Sequence, residues 1–266
     1  IFATGDIIAF NLNGDKLWAK NLGVPDNHYG HSSSLMVWDN KVIVQYDTNK
    51  SGRLIALNST DGSTVWDVNR KNKISWASPV LMFHNGKYQI ITTSDPLVAG
   101  HDLATGNELW SLNCMMGEVG ASVAIADGII FAANEYARLA AIQPGSNPSI
   151  IWEENEYLPE ASSPVAYQGL LYIATSYGVI ACYDIKTGEK HWEHEAAKGF
   201  YSSPVYVEGK IYIIDMGGKM LIFKASSEKN IIGEPELGEK GYATPAFSDG
   251  RIYLRGEKSM FCIGVK

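Results

Sequence analysis

An all-β fold built from repeated four-stranded sheets is what this sequence predicts, and three observations predict it. Short runs rich in Val, Ile, Tyr and Trp alternate with Gly- and Asp-containing turns along the whole chain, which is the pattern of antiparallel strands. A tryptophan follows a Gly-containing corner five times, at Trp18, Trp66, Trp110, Trp152 and Trp192, in steps of 48, 44, 42 and 40 residues. A second marker, Ser-Pro-Val or a relative, keeps phase with it at Ser34-Leu35-Met36, Ser78-Pro79-Val80, Ser122-Val123-Ala124, Ser163-Pro164-Val165, Ser203-Pro204-Val205 and Thr244-Pro245-Ala246. A four-stranded repeat of roughly 40 residues is the signature of a β-propeller blade. One such sheet leaves its faces wet, and stacking it on its neighbours buries them.

The elements follow in order. The unit is complete between Ala161 and Glu195, where the turns Gln168-Gly169, Tyr177-Gly178 and Asp184-x-x-Thr187-Gly188 separate four runs. Strand A lies around Ser-Pro-Val and strand D around Trp. Strand B is expected at Lys41–Tyr46, Tyr88–Thr93, Ile129–Ala133, Leu170–Thr175, Lys210–Ile214 and Arg251–Leu254. Strand C is expected at Arg53–Leu57, Ala137–Ile142, Val179–Tyr183, Lys219–Phe223 and Met260–Val265. A sixth D strand falls near Ile232, where the Trp is lost. The N-terminus supplies B (Ile1–Ala3), C (Ile7–Asn11) and D (Leu17–Lys20) without A, and the C-terminus supplies A, B and C without D. The expectation is one propeller domain over residues 1–266, of about seven blades and possibly eight, with roughly 20–30 residues upstream of Ile1 if there are seven and about one more period if there are eight.

The totals narrow the function classes. The chain has 266 residues, 45% of them hydrophobic, and a net charge of −7. No basic block stands out to neutralise phosphates, so a nucleic-acid partner is not expected. No apolar run reaches the roughly 20 residues of a membrane span. Cys114, Cys182 and Cys262 are too scattered for a disulfide framework or a CxxC metal site. Cys182 and Cys262 fall in strand runs, which predicts buried apolar roles.

The corner motif is specific. It reads Ala181-x-x-Asp184-x-x-Thr187-Gly188-x-x-x-Trp192, with relatives at Ala99 to Asp102-x-x-Thr105-Gly106 and Trp110, at Ala56-Leu57-Asn58 to Gly62 and Trp66, and, shortened, at Ala9 to Asn11, Gly14 and Trp18. Asp or Asn can accept bonds from the following turn amides. Glycine takes the positive φ of the corner. Trp can pack between sheets with its N–H on a backbone acceptor. Trp18, Trp66, Trp110, Trp152 and Trp192 are therefore assigned structural docking roles, and the Asn58-Ser59-Thr60 sequon is assigned to the turn. The pattern closely resembles the tryptophan-docking repeat of the PQQ-like (quinoprotein) propellers over nearly the whole chain.

That resemblance carries two functional implications. Quinoprotein dehydrogenases of the superfamily use PQQ with calcium, many with two adjacent cysteines over the quinone. Here no two cysteines are adjacent, and no Glu/Asn/Asp set matches a calcium site residue by residue. No cofactor, metal site or catalytic residue is therefore expected, and a PQQ/calcium-dependent dehydrogenase is the alternative. His28-x-x-His31 sits in a D–A loop with no carboxylate beside it in sequence, and His191 and His194 read as surface residues. The nearest non-enzymatic resemblance is to the propeller lipoprotein of the bacterial outer-membrane protein assembly complex. It implies a periplasmic or cell-envelope scaffold with a protein or glycan partner. A sensor domain of a longer protein is a further alternative.

A ligand of such a fold would sit at the channel mouth, where D–A and B–C loops converge. Three residues before the proline of the second marker stand Trp76, Tyr201 and Tyr242, large for the start of an inner strand. The D–A loops add Glu118 and Glu160. The B–C loops add Asp47, Asp95, Glu135, Tyr177 and Asp215. The candidate site is an acidic, aromatic-edged surface.

Overall fold

The computed structural model describes residues 1–264. Among them are 25 strands and no helix, and so no helix long and apolar enough to cross a membrane. The chain divides into two compact units. The first holds Ile1–Ser122 with Pro144–Ser149, and the second holds Val123–Gln143 with the residues from Ile150 onward.

The first unit opens with the hairpin β1 (Asp6–Phe10) and β2 (Lys16–Asn21). Two four-stranded antiparallel sheets follow. One is β3 (Met36–Trp38), β4 (Lys41–Asp47), β5 (Gly52–Asn58) and β6 (Thr64–Arg70); the other is β7 (Val80–His84), β8 (Lys87–Thr93), β9 (Leu97–Asp102) and β10 (Glu108–Asn113). The second unit has three such sheets. They are β11 (Ala124–Ala126) to β14 (Ser149–Glu154) through β12 (Ile129–Ala133) and β13 (Leu139–Gln143); β15 (Val165–Tyr167) to β18 (Lys190–Glu195) through β16 (Leu170–Ala174) and β17 (Val179–Asp184); and β19 (Val205–Val207) to β22 (Ile231–Gly233) through β20 (Lys210–Ile214) and β21 (Met220–Lys224). A three-stranded sheet closes the described chain: β23 (Ala246–Ser248), β24 (Arg251–Arg255) and β25 (Met260–Gly264).

Several expectations need correction. Ile1–Ala3 is no strand. Phe2 to Gly5 form a turn, with the Gly5 N–H on Phe2 O at 2.9 Å and the Phe2 N–H on Asp6 O at 2.9 Å. Gly5 sits at φ +83°, and a Cβ there would lie 1.9 Å from Gly23 O, so only glycine turns the chain at that point. The A strands begin at the third residue of their marker whether or not the second is proline; at Ser34, Ser78, Ser163 and Ser203 the N–H of the first residue donates to a hydroxyl of the next sheet instead of to its own ladder. A further C strand runs at Leu97–Asp102, where Pro96 and Gly100 hide it in the sequence. Val265, the expected end of the last C strand, lies outside the described residues. Cys182 is buried, and burial pushes its thiol up to about 12. Cys262 is exposed. It stands on β25, which pairs with β24 along one edge only among the described residues.

Two side-chain ladders tie neighbouring sheets together inside each unit. The first runs along the A strands. The Ser34 N–H donates to Ser78 Oγ (2.8 Å) and the Ser78 N–H to Ser122 Oγ (2.9 Å). In the second unit the Ser163 N–H donates to Ser203 Oγ and the Ser203 N–H to Thr244 Oγ1, each at 2.9 Å. The serine of the second marker thus supplies an acceptor for a backbone donor on the preceding sheet. The second ladder uses the tryptophans. Nε1 of Trp18 donates to Ser59 O (2.8 Å), that of Trp152 to Ile185 O (2.9 Å) and that of Trp192 to Ser226 O (3.1 Å). Each acceptor lies at or beside the corner of the next sheet. A Cβ on the corner glycine would meet the ring at 2.6 Å for Gly62 on Trp18, 2.6 Å for Gly106 on Trp66 and 2.7 Å for Gly188 on Trp152. These contacts, and the φ of +72° to +75° at those glycines, fix both the glycine and the ring. Trp110 differs: its Nε1 donates to Gln89 Oε1 of its own sheet at 2.9 Å. The corner that follows Trp110 in sequence reads Gln143-Pro144-Gly145-Ser146 and lacks the Asp-x-x-Thr-Gly motif.

The corners are capped as their residue types require. Asp184 Oδ1 accepts from the Lys186 and Thr187 N–H groups, both at 2.8 Å, and these bonds hold its carboxyl below the usual range. Asn58 Oδ1 accepts from the Thr60 N–H (2.8 Å), so the sequon belongs to a turn. His194 is half-buried with its ring edge on Phe223, 5.6 Å between centroids. That placement revises its reading as a surface residue.

One buried group gives stability a pH dependence. His101 lies in β9 between Thr92 Oγ1 (3.2 Å) and Gly106 O (3.3 Å). The carbonyl only accepts, so Nδ1 carries the proton and Nε2 accepts from the hydroxyl. Burial, with Arg70 nearby, lowers its pKa from 6.5 to about 3. The folded state thus refuses a proton that the unfolded chain takes up. Stability is full above pH 6.5 and falls as pH drops toward 3, by up to about 1.4 kcal/mol per pH unit. Urea midpoints of the parent and a His101→Gln variant between pH 7 and pH 4 check this. The parent should lose stability more steeply, and parallel profiles would reject the assignment.

Candidate functional site

In the first unit three D–A loops meet. Loop 22–35 is the longest of them, and it brings Asn27, His28 and Tyr29 over Trp76 of loop 71–79 and Glu118 of loop 114–123. Trp76 is fixed by its backbone, with its N–H on Val119 O at 2.9 Å, and by its indole, with Nε1 on Asn27 Oδ1 at 3.0 Å. The His28 and Tyr29 rings each lie 5.2 Å from the Trp76 ring and 4.3 Å from one another. His28 Nε2 is 3.3 Å from Glu118 Oε1. The carboxylate missing beside the His pair in sequence thus arrives from a segment 90 residues away. His31 points elsewhere. It stacks on Tyr46 at 5.2 Å, its Nε2 lies 3.1 Å from Ser33 O, and burial lowers its pKa.

Asp47 and Asp95 do not join this surface. Asp47 is buried and both its oxygens accept from Arg70 Nη1, at 2.6 and 2.9 Å; Oδ2 also accepts from Gln45 Nε2 (2.9 Å) and Ser75 Oγ (2.6 Å). Three internal donors make four bonds to this buried carboxylate, which is committed to the interior rather than to a ligand. Asp95, also buried, takes the Gly117 N–H (3.1 Å) and Lys73 Nζ (3.3 Å) on Oδ2. It anchors loop 114–123 rather than facing out.

In the second unit Glu160, Tyr201 and Tyr242 come together. Tyr201 Oη lies 3.3 Å from Glu160 Oε1, and the Tyr201 and Tyr242 rings are 6.5 Å apart, each 42% exposed. The Glu160 charge pushes the Tyr201 phenol up, with burial, the bond to Glu160 and the charges of Glu135 and Tyr242 adding to it. Negative potential therefore converges on an open pair of rings, an arrangement that attracts cationic groups. Asp215 is not part of it. It is buried, and Oδ1 caps its own turn through the N–H groups of Gly217 (2.8 Å) and Lys219 (2.9 Å). Tyr177 is exposed and reaches sideways, with Oη on Glu156 O at 3.2 Å.

Of the ten sequence candidates, Trp76 and Glu118 form one surface and Glu160, Glu135, Tyr201 and Tyr242 another. Asp47, Asp95 and Asp215 are internal. Sequence reasoning missed Asn27, His28 and Tyr29 as partners of Trp76. The available signal was an aromatic run in the longest D–A loop.

The residues do not fit a quinone–calcium centre. Among the described residues no group of three or more His, Cys, Asp or Glu could hold a metal ion, and no two cysteines are adjacent in sequence.

The profile of a family described as outer membrane protein assembly factor BamB (PQQ_2) matches residues 3–155, 94–199 and 146–231. The chain belongs to this family. A BamB of Yersinia pestis is 20% identical over 261 residues, which are 91% of this chain and 64% of that protein. The chain thus spans less than two thirds of that relative's length. The crystal structure of BamB from Moraxella catarrhalis matches with a TM-score of 0.75 at 17% identity, over 97% of this chain and 76% of that one. Quinohemoprotein alcohol dehydrogenase from Comamonas testosteroni matches with a TM-score of 0.73 at 12% identity, over 94% of this chain and 60% of that one. At these identities the structural matches show a shared fold. That fold is the β-propeller, with four-stranded antiparallel blades, about seven in number.

Proposed function

We propose that this chain is a non-catalytic scaffold of the bacterial cell envelope that binds a protein partner through its D–A loops. The observation that carries the reading is the BamB family match over most of the chain, since the relatives so named are outer membrane protein assembly factors. Exposed rings held by buried or hydrogen-bonded supports are what a protein-binding surface uses, because they lose little freedom on contact. Tyr201 and Tyr242 beside Glu160, and Tyr29 over Trp76, have that form. A glycan is the second ligand class, favoured by the exposed face of Tyr29, which a sugar could stack upon.

Photo-crosslinking in cells tests the reading, with the reactive group at position 201, 242 or 29 and a control at His191 on the outer strand β18. Adducts with outer-membrane assembly proteins at the loop positions, absent at position 191, are the expected result. Adducts with glycan alone would transfer the assignment to the second class. Equal labelling at all four positions would remove the loops from the interface.

A further inference from the structure

Strand register shows which residue stands in the docking-tryptophan place of each blade. Trp18 pairs with Ala9, Trp66 with Ala56, Trp110 with Gly100 and Trp192 with Cys182. In β22 the residue opposite the equivalent Ile222 is Gly233, and the register shifts just after Ile222 as it does after Ala9, Ala56 and Cys182. The tryptophan lost from the sixth repeat, expected near Ile232, is therefore replaced by Gly233. A glycine there leaves the space of a whole indole.

That space exists. In the preceding junction Trp192 lies between Tyr172 of its own sheet (5.9 Å) and Phe223 of the next (5.3 Å, stacked). One junction earlier Trp152 lies between Phe131 (5.9 Å) and Tyr183 (6.5 Å). The register equivalents of Tyr172 and Phe223 are Tyr212, which pairs with Ile222, and Ile263, which pairs with Ile252. Tyr212 and Ile263 both line a cavity of about 270 Å³ between the last two sheets, together with Met220, Ile222, Ile252 and Leu254. Pro235 and Leu237 also line it, and among the described residues Glu236 is its only charged lining residue.

We infer that this junction is a binding site for a small, uncharged, planar aromatic molecule of indole size, held where other blades hold their own tryptophan. The lining is the same set of strand positions that encloses an indole twice elsewhere in this unit. Apolar cavities of about 150 Å³ already accept benzene, so this one has room for a fused bicycle. Its apolar walls leave a charged ring unsolvated. The occupant is a free molecule rather than a side chain of a partner. In the other junctions the ring is carried by the D strand, and here that strand, Ile231–Gly233 of β22, is already in place without one. Among the described lining residues Ile263 is half-exposed, so the cavity is open to a small molecule on that side.

Titration with 5-fluoroindole, followed by ¹⁹F NMR, tests the site. Saturable one-site binding is expected, weakened by about tenfold or more in Gly233→Trp, which restores the repeat's own indole. Gly233 has an ordinary strand conformation, and a Cβ there meets only the flexible end of Ile222 at 3.3 Å, so the variant should fold and melt higher. His191→Ala, on the exposed outer strand β18, should bind like the parent. If Gly233→Trp does not fold, Ile222→Phe narrows the same cavity from its floor and should weaken binding likewise. No saturable binding by the parent, or undiminished binding by a folded filled variant, overturns the inference. A tryptophan-containing peptide that competes more tightly than free indole would overturn the assignment to a free molecule.

Discussion

Arg70→Ala should destabilise the first unit by about 3–5 kcal/mol, the cost of leaving one partner of a buried ion pair behind. The Arg70 and Asp47 side chains are 3% and 0% exposed. Removing the guanidinium strands the Asp47 carboxylate among Gln45, Ser75 and the backbone, where two neutral donors cannot replace two charged bonds. Arg70 Nη2 also donates to Ser94 Oγ (3.2 Å), so the loss reaches the next sheet. Gly52 offers an independent route to the same network. A Cβ at Gly52 would lie 2.1 Å from Asn72 Oδ1 and 2.5 Å from Asp47 Oδ1, so Gly52→Ala should also be costly. Urea unfolding with an unchanged slope gives both numbers. The double variant Arg70→Met/Asp47→Leu should recover much of the loss, because it removes both charges. A loss below about 1 kcal/mol for Arg70→Ala would show that the pair is solvated in solution.

Trp192→Ala should cost about 3–5 kcal/mol, the range for deleting a large buried aromatic. The ring packs in a cluster with Tyr172, Cys182, Ile213 and Phe223, all fully buried. Its loss also leaves Ser226 O without the indole donor. The rest of the pocket remains, so free indole should bind the variant and raise its melting temperature with saturation. Rescue by indole but not by a charged analogue would show that the pocket survives as a shaped cavity. A variant that loses little stability would mean that the two sheets close over the gap, as sites able to collapse do.

Much of this is legible in the sequence. The two markers gave blade period and strand order because each serves one local geometric need. Asp184 and Asn58 cap the turns that follow them, Gly62 and Gly106 take the positive φ of a corner, and the marker serine reaches the preceding sheet. Such needs act within a few residues, so they leave fixed spacings. The docking role of Trp18, Trp152 and Trp192 was readable for the same reason: the ring and its corner recur together.

The candidate site was read less well. Trp76, Tyr201 and Tyr242 were visible as large rings where a small residue is usual. Asp47, Asp95 and Asp215 looked the same as Glu118 and Glu160, since a loop carboxylate carries no mark of where its oxygens point. Asp47 is spent on Arg70, and Asp215 on its own turn.

The all-β class, the repeat and the family are readable from the residues alone, because hydrophobic alternation and turn chemistry are local and periodic. Folding in three dimensions settles which acids are internal, that His28 meets Glu118, and that Gly233 stands in the tryptophan's place. Those outcomes depend on contacts between residues far apart in the chain. They are fixed by register and by the desolvation cost of an unpaired charge, neither of which has a spacing to read.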